Sequence, residues 1–124
     1  MTFLDTHVAI WLASDQIARL SRTAKKTIEE AEAISISPVV LLEVQLLVEI
    51  GRLTRTADFV SRVLATAGIG IHDGSLAEIA SKACSLSWTR DPFDRLIVGH
   101  ALTDDATLVT KDQSILDNYR KAVW

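Results

Sequence analysis

Short apolar runs alternate along the chain with segments whose apolar positions recur every three or four residues. The runs Phe3–Leu4, Ile34–Ser37, Ile69–His72 and Thr107–Thr110 are brief and β-compatible, which predicts strands. Helical spacing over Thr6–Ala13, Ser21–Ala31, Pro38–Ile50, Thr56–Ala65, Ser75–Ser85, Pro92–Thr103 and Gln113–Tyr119 predicts seven helices between and after them. Their start signals are clear. Ser37 before Pro38 and Asp91 before Pro92 each set an N-cap residue ahead of a proline at the first helical position. The stretch "SLAE", Ser75 to Glu78, reads as a capping box. The closing "KAVW" is the right length and character for a last short strand. Strands alternating with helices imply a parallel sheet covered on both faces, with ligands expected where the strands' carboxyl ends meet a reversal of strand order.

Four acids map to that edge: Asp5, Glu43, Asp94 and Asp112. Asp5 ends the first strand, and capping the next helix explains it as well as chemistry does. Glu43 falls within an apolar stripe of Val39, Leu42, Leu46, Leu47 and Ile50. A carboxylate there needs a buried cation, an opening to a cleft, or a functional site that uses its perturbed acidity. Asp91 is the natural N-cap of its helix. Asp94, three residues on, shares a face with Ile97, Val98 and Ala101 and so points at the protein. This assigns Asp91 to capping and Asp94 to the site. Asp112 again has a capping alternative, and Thr110 before it can orient a carboxylate or bond the backbone locally.

Each acid alone has an ordinary explanation; their convergence on one sheet edge is harder to explain so. Crowded carboxylates repel, and an oxygen-seeking divalent cation, Mg²⁺ or Mn²⁺, relieves the repulsion. Zinc spacing of His and Cys is missing: His7, His72 and His100 are scattered and read as surface or structural residues, and Cys84 reads as core. Asp73, Asp104 and Asp105 read as turn residues. There is neither a serine-nucleophile elbow nor a phosphate-cradling glycine loop. Arg90, Arg95 and Lys111 flank the acids as candidate contacts for nucleic-acid backbone phosphates, a solvated charged rim being the alternative.

Composition sets the outer bounds. The chain has 124 residues, 48% hydrophobic and 23% charged, which suits one soluble domain spanning 1–124. Its net charge of −3 provides no global attraction for nucleic acid, so any such binding is local or cation-assisted. One cysteine and no apolar leader or membrane-length run point to a cytoplasmic protein.

The segments "FLDTHVAIW", "SPVVLLEV", "RDPFDRLIVGHA" and "LVTKD" together resemble the PIN-domain ribonucleases, and within them the VapC-type toxins of toxin–antitoxin pairs. The resemblance spans essentially the whole chain. It implies a three-layer α/β/α sandwich around a parallel sheet of four to five strands, metal-dependent cleavage of single-stranded RNA, inhibition by a cognate antitoxin, and a homodimer. Carried over residue by residue, it implies the acidic set Asp5, Glu43, Asp94 and Asp112. Departures fall at Trp88–Arg90, where many relatives have a histidine before the shared motif, and at Gly99–His100, which replaces a more usual Ala-Gln. Two rivals stand beside this reading. A receiver-like phospho-acceptor module built on Asp5 and Asp73 leaves Glu43 and Asp94 unexplained; a catalytically silent PIN domain keeps all four acids without using them. An antitoxin tail is expected in a groove near the Leu42–Ile50 and Thr56–Ala65 segments, offering an arginine or lysine to the acids.

Overall fold

The computed structural model describes residues 1–124. Five strands, β1 (Thr2–Leu4), β2 (Ile34–Ile36), β3 (Gly70–Ile71), β4 (Thr107–Val109) and β5 (Ala122–Val123), form one wholly parallel sheet in the order β3-β2-β1-β4-β5. Seven α-helices connect and follow them: α1 (Thr6–Ala13), α2 (Arg22–Glu29), α3 (Pro38–Glu49), α4 (Ala57–Thr66), α5 (Leu76–Cys84), α6 (Pro92–Thr103) and α7 (Gln113–Asn118). A single 3₁₀ turn, Ile17–Arg19, lies between α1 and α2, where no helix or strand is predicted.

The path runs outward from β1 through β2 to β3, then returns to β4 on the far side of β1. Right-handed crossovers are the rule for parallel strands and send the helices of the two legs toward opposite faces, although α3 also reaches α6. Helices α1, α3 and α4 touch one another, and α5 pairs with α6. Strand order therefore reverses between β1 and β4. Backbone bonds carry the pairing one step past the strands, Asp5 N–H donating to Val109 between β1 and β4 and Thr110 N–H to Val123 between β4 and β5.

The core is one cluster of 22 buried residues centred on Phe3, Leu4, Ile36, Leu108 and Val109 of the sheet and Val8, Val40, Val60 and Ile97 of the helices. Each such side chain contributes roughly 1.5–3 kcal/mol by leaving water. Gly51 and Gly68 follow α3 and α4 at φ 78° and 77°, the left-handed turn that closes a helix at little cost only with glycine. Gly99 has another reason. A Cβ there would lie 2.8 Å from the Ile79 carbonyl oxygen and 3.2 Å from the Ala83 nitrogen, so glycine lets α6 press onto the backbone of α5.

Three expectations need correction. On α3 the buried stripe is Val40 and Val44, with Leu47 partly covered; Leu42, Leu46 and Ile50 are 55%, 38% and 63% exposed. Glu43 still belongs to the inward side, because 40, 43, 44 and 47 follow helical spacing. Cys84 is exposed at the end of α5, not core. Ser37 stands at the N-cap of α3 but its hydroxyl makes no cap bond, being drawn instead to His100 Nδ1 at 2.9 Å.

Candidate active site

Asp5 stands directly after β1, at the carboxyl end of the sheet where strand order reverses between β1 and β4. Asp5 is 7% exposed. Its Oδ1 accepts the Thr6 N–H at 2.7 Å, capping α1, and its Oδ2 accepts the Thr110 hydroxyl at 2.5 Å. Thr110 is fully buried, and the same hydroxyl oxygen accepts the Asp112 N–H at 3.0 Å. One threonine thus joins the loops after β1 and β4. Asp112 is exposed and caps α7, its Oδ1 accepting the Ile115 N–H at 2.9 Å.

Glu43 arrives from α3 and Asp94 from the first turn of α6, both half-buried; α3 packs against α6, which brings them within electrostatic reach of each other. Asp91 caps α6, accepting the N–H groups of Phe93 at 2.8 Å and Asp94 at 3.2 Å. Ile97, Val98 and Ala101 are buried along the face that Asp94 shares.

The four acids lie within electrostatic reach of one another. Burial pushes the Asp94 carboxyl up to about 7, with the charges of Asp91, Asp5, Asp112 and Glu43 adding in that order. Burial also raises Asp5, against the lowering effect of its bonds from Thr110 and Thr6 and of nearby His7. Glu43 is raised by burial, with Asp5 and Asp91 adding; Thr6 and His7 oppose. The buried Thr6 hydroxyl has no partner at hydrogen-bond length, yet it lies near enough to Glu43 to favour the ionised form. Neither Lys nor Arg pairs with any of the four acids. An all-oxygen set with uncompensated negative charge suits a hard divalent cation.

The basic residues behave differently. Arg90 donates to the Ser87 carbonyl at 2.6 Å and Arg95 to the Thr89 carbonyl at 2.8 Å, so neither guanidinium reaches the acids as an ion pair. Lys111 sits 5.9 Å from the ring centre of Trp124. That contact belongs to a strip that sequence reasoning missed. His7 lies tilted against Trp11 at 6.0 Å, Trp11 lies 5.9 Å from Trp124, and Arg19 sits 5.7 Å over Trp11. The strip joins the first twenty residues to the last fourteen, and no local pattern announces such a pairing. An apolar cleft of about 350 Å³ lies between α3 and the start of α5, lined by Pro38, Val39, Leu42 and Leu76, rather than between α3 and α4.

The PIN-domain family model matches residues 2–121. The chain belongs to the PIN-domain family. This PIN domain is 32% identical over 114 residues to Ribonuclease VapC22 of Mycobacterium tuberculosis, covering 90% of this chain and 87% of that protein. Its fold is also that of a chain in a toxin–antitoxin complex from Klebsiella pneumoniae, with a TM-score of 0.68 and 20% identity over 100% of this chain and 97% of the other. A chain of VapBC2 from Rickettsia felis, bound to a DNA fragment from its promoter, matches with a TM-score of 0.61 and 20% identity over 94% and 91% of the two chains. No helix is long and apolar enough to cross a membrane.

Proposed function

We propose that this PIN domain is a metal-dependent endoribonuclease of the VapC type, hydrolysing phosphodiester bonds in single-stranded RNA as the toxin of a toxin–antitoxin pair in the cytoplasm. The observation that carries the reading is the uncompensated cluster of Asp5, Glu43, Asp94 and Asp112 at the strand-order reversal, in a chain related over nearly its whole length to a ribonuclease. The phospho-acceptor alternative loses ground because it has no use for Glu43 or Asp94.

In this reading the four carboxylates would hold Mg²⁺ or Mn²⁺, which would supply Lewis-acid polarisation of the phosphodiester and a lowered pKa for the attacking water. The chain's own residues do the rest. Thr110 fixes the Asp5 carboxylate in one orientation. Asp91 anchors the first turn of α6, and with it the position of Asp94. Asp94 carries a proton up to about pH 7 and must release it for its oxygens to serve a cation. Trp11 and Trp124 offer ring faces for unstacked bases, while Arg19 and Lys111 supply positive charge for the backbone. Arg90 and Arg95 add positive charge near the start of α6.

The exposed stripe Leu42, Leu46 and Ile50 on α3 is the surface we assign to the antitoxin tail, whose arginine or lysine would meet Asp5, Glu43 or Asp94. The active species is taken to be a homodimer. Substrate class is tested by offering the purified protein labelled single-stranded RNA, duplex RNA and single-stranded DNA with Mg²⁺ or Mn²⁺. Internal cleavage confined to single-stranded RNA is the expected result; cleavage of all three alike, or of none, contradicts it.

A further inference from the structure

Away from the acidic cluster, two histidines and an aspartate converge. His72 follows β3, while His100 and Asp104 lie one turn apart at the end of α6. The Asp104 Oδ2 is 2.8 Å from His72 Nε2 and 3.7 Å from His100 Nε2, and the three candidate ligand atoms all lie within 4.8 Å of one another. Ligands about 2.0–2.2 Å from a tetrahedral ion stand about 3.4 Å apart, so these separations bracket what an ion requires.

The His72–Asp104 contact alone reads as a structural hydrogen bond. It does not account for His100. That ring is fully buried, its Nδ1 is matched to the Ser37 hydroxyl at 2.9 Å, and its Nε2 has no partner. Either tautomer leaves a buried polar group unmet at Nε2. The form that donates Nδ1–H to Ser37 turns a lone pair toward Asp104, with the other nitrogen fixed as metal-bound imidazoles usually are. Glycine keeps the space before that nitrogen open: a Cβ at Gly74 would stand 2.7 Å from His100 Nε2. Phe3 packs against both rings, at 5.4 Å and 4.8 Å between centres, holding them in place. Ser37 and Gly74 also line the cleft between α3 and α5, which gives a route in from solvent.

We propose that His72, His100 and Asp104 form a second metal site, for a nitrogen-seeking divalent transition ion such as Zn²⁺, that pins the edge strand β3 to helix α6. Its two imidazoles and one carboxylate select a different ion from the all-oxygen acidic cluster. His100 is six residues beyond Asp94, about 9 Å along the helix, so the two sites are separate.

The test uses the full chain carrying Asp94→Asn, which weakens the acidic cluster, stripped of ions with chelator. Co²⁺ is followed by its visible absorption, and Zn²⁺ by calorimetry and melting temperature, each with and without excess Mg²⁺. The expected result is a single Zn²⁺ or Co²⁺ equivalent that Mg²⁺ does not displace, with a nitrogen-ligand Co²⁺ spectrum and a raised melting temperature. Adding His72→Ala or Asp104→Asn should lower affinity about tenfold or more. Both side chains are partly exposed, so these variants keep the fold where His100→Ala endangers it. Displacement by Mg²⁺, no binding at all, or unchanged affinity in His72→Ala and Asp104→Asn overturns the proposal.

Discussion

The hydroxyl of Thr110 donates to Asp5 Oδ2 across 2.5 Å, tying the end of β4 to the end of β1 at the one place where strand order reverses. It also accepts the backbone N–H of Asp112, so one oxygen sets the position of two of the four acids. Thr110→Val keeps the shape but leaves a buried carboxylate oxygen and a backbone N–H unmet. The expected cost is about 1–3 kcal/mol of stability, with RNA cleavage falling at every pH. Thr110→Ser retains the hydroxyl and should retain most of both. Denaturant unfolding of the pair checks this, and equal stability of Val and wild type would contradict it.

Acidity gives the next expectation. The Asp94 carboxyl stands at about 7 in the folded chain against an ordinary 3.8, so in the ion-free protein the folded state binds more protons across that interval. Its contribution to stability is full below the unfolded value and is lost as pH rises through about 7. Glu43 and Asp5, raised in the same direction, add to that slope. Ion-free protein should therefore melt higher at pH 5 than at pH 8, and Asp94→Asn should flatten the dependence. Added Mg²⁺ should reverse it, since cation binding strengthens as the carboxylates ionise. A melting temperature that rises with pH in chelator counts against the crowded cluster.

Much of this arrangement is readable from the chain alone, for a physical reason. Asp5, Asp91 and Asp112 each begin a helix, and N-caps write themselves in local sequence. The bounds of α1 and α6 follow the same signals, Asp then Thr at one and Asp-Pro at the other. Glu43 is a harder case. The stripe that predicts its inward position faces solvent at Leu42, Leu46 and Ile50, because an α3 apolar on nearly all sides offers two stripes and sequence does not choose between them. Contacts between distant residues leave no local trace. Ser37 looks like a cap, but 63 residues later His100 claims its hydroxyl. Likewise Trp11 and Trp124 meet only because β5 and α1 are brought together by the sheet.

Capping and site roles at the start of α6 are separable. Asp91→Asn preserves an acceptor for the Phe93 and Asp94 N–H groups, and Asn caps about as well as Asp. We expect that variant to cleave RNA within a fewfold of wild type. Comparable inactivation by Asp91→Asn and Asp94→Asn would mean that Asp91 belongs to the site.

Gly99 provides a test of packing. Alanine in mid-helix normally gains about 1 kcal/mol over glycine. Here its Cβ would press on the backbone of Ile79 and Ala83, which cannot yield as a flexible side chain would. Gly99→Ala should instead destabilise by about 1–3 kcal/mol, read as a lower unfolding midpoint. A stabilised variant would mean that α5 and α6 have room to part.

The proposed role of the aromatic strip in holding RNA predicts a binding effect distinct from catalysis. Trp11→Ala removes a ring that both His7 and Trp124 pack against. Single-stranded RNA affinity, measured by fluorescence anisotropy in Ca²⁺ or chelator, should fall about five- to hundredfold, in line with 1–3 kcal/mol per stacked base. Unchanged affinity would place the RNA elsewhere.

The most direct measurement compares wild type and Asp94→Asn on the same single-stranded RNA, first in chelator and then with Mg²⁺ restored. Asp94 is the acid on which the charges of the other three converge, so its neutral counterpart should lose the cation-dependent activity while keeping its fold. The account predicts no cleavage by either protein in chelator, strong cleavage by wild type once Mg²⁺ is added, and at least a hundredfold less by Asp94→Asn, about 2.7 kcal/mol or more in the barrier. Cleavage by wild type that persists undiminished in chelator, or Asp94→Asn as active as wild type in Mg²⁺, would contradict it.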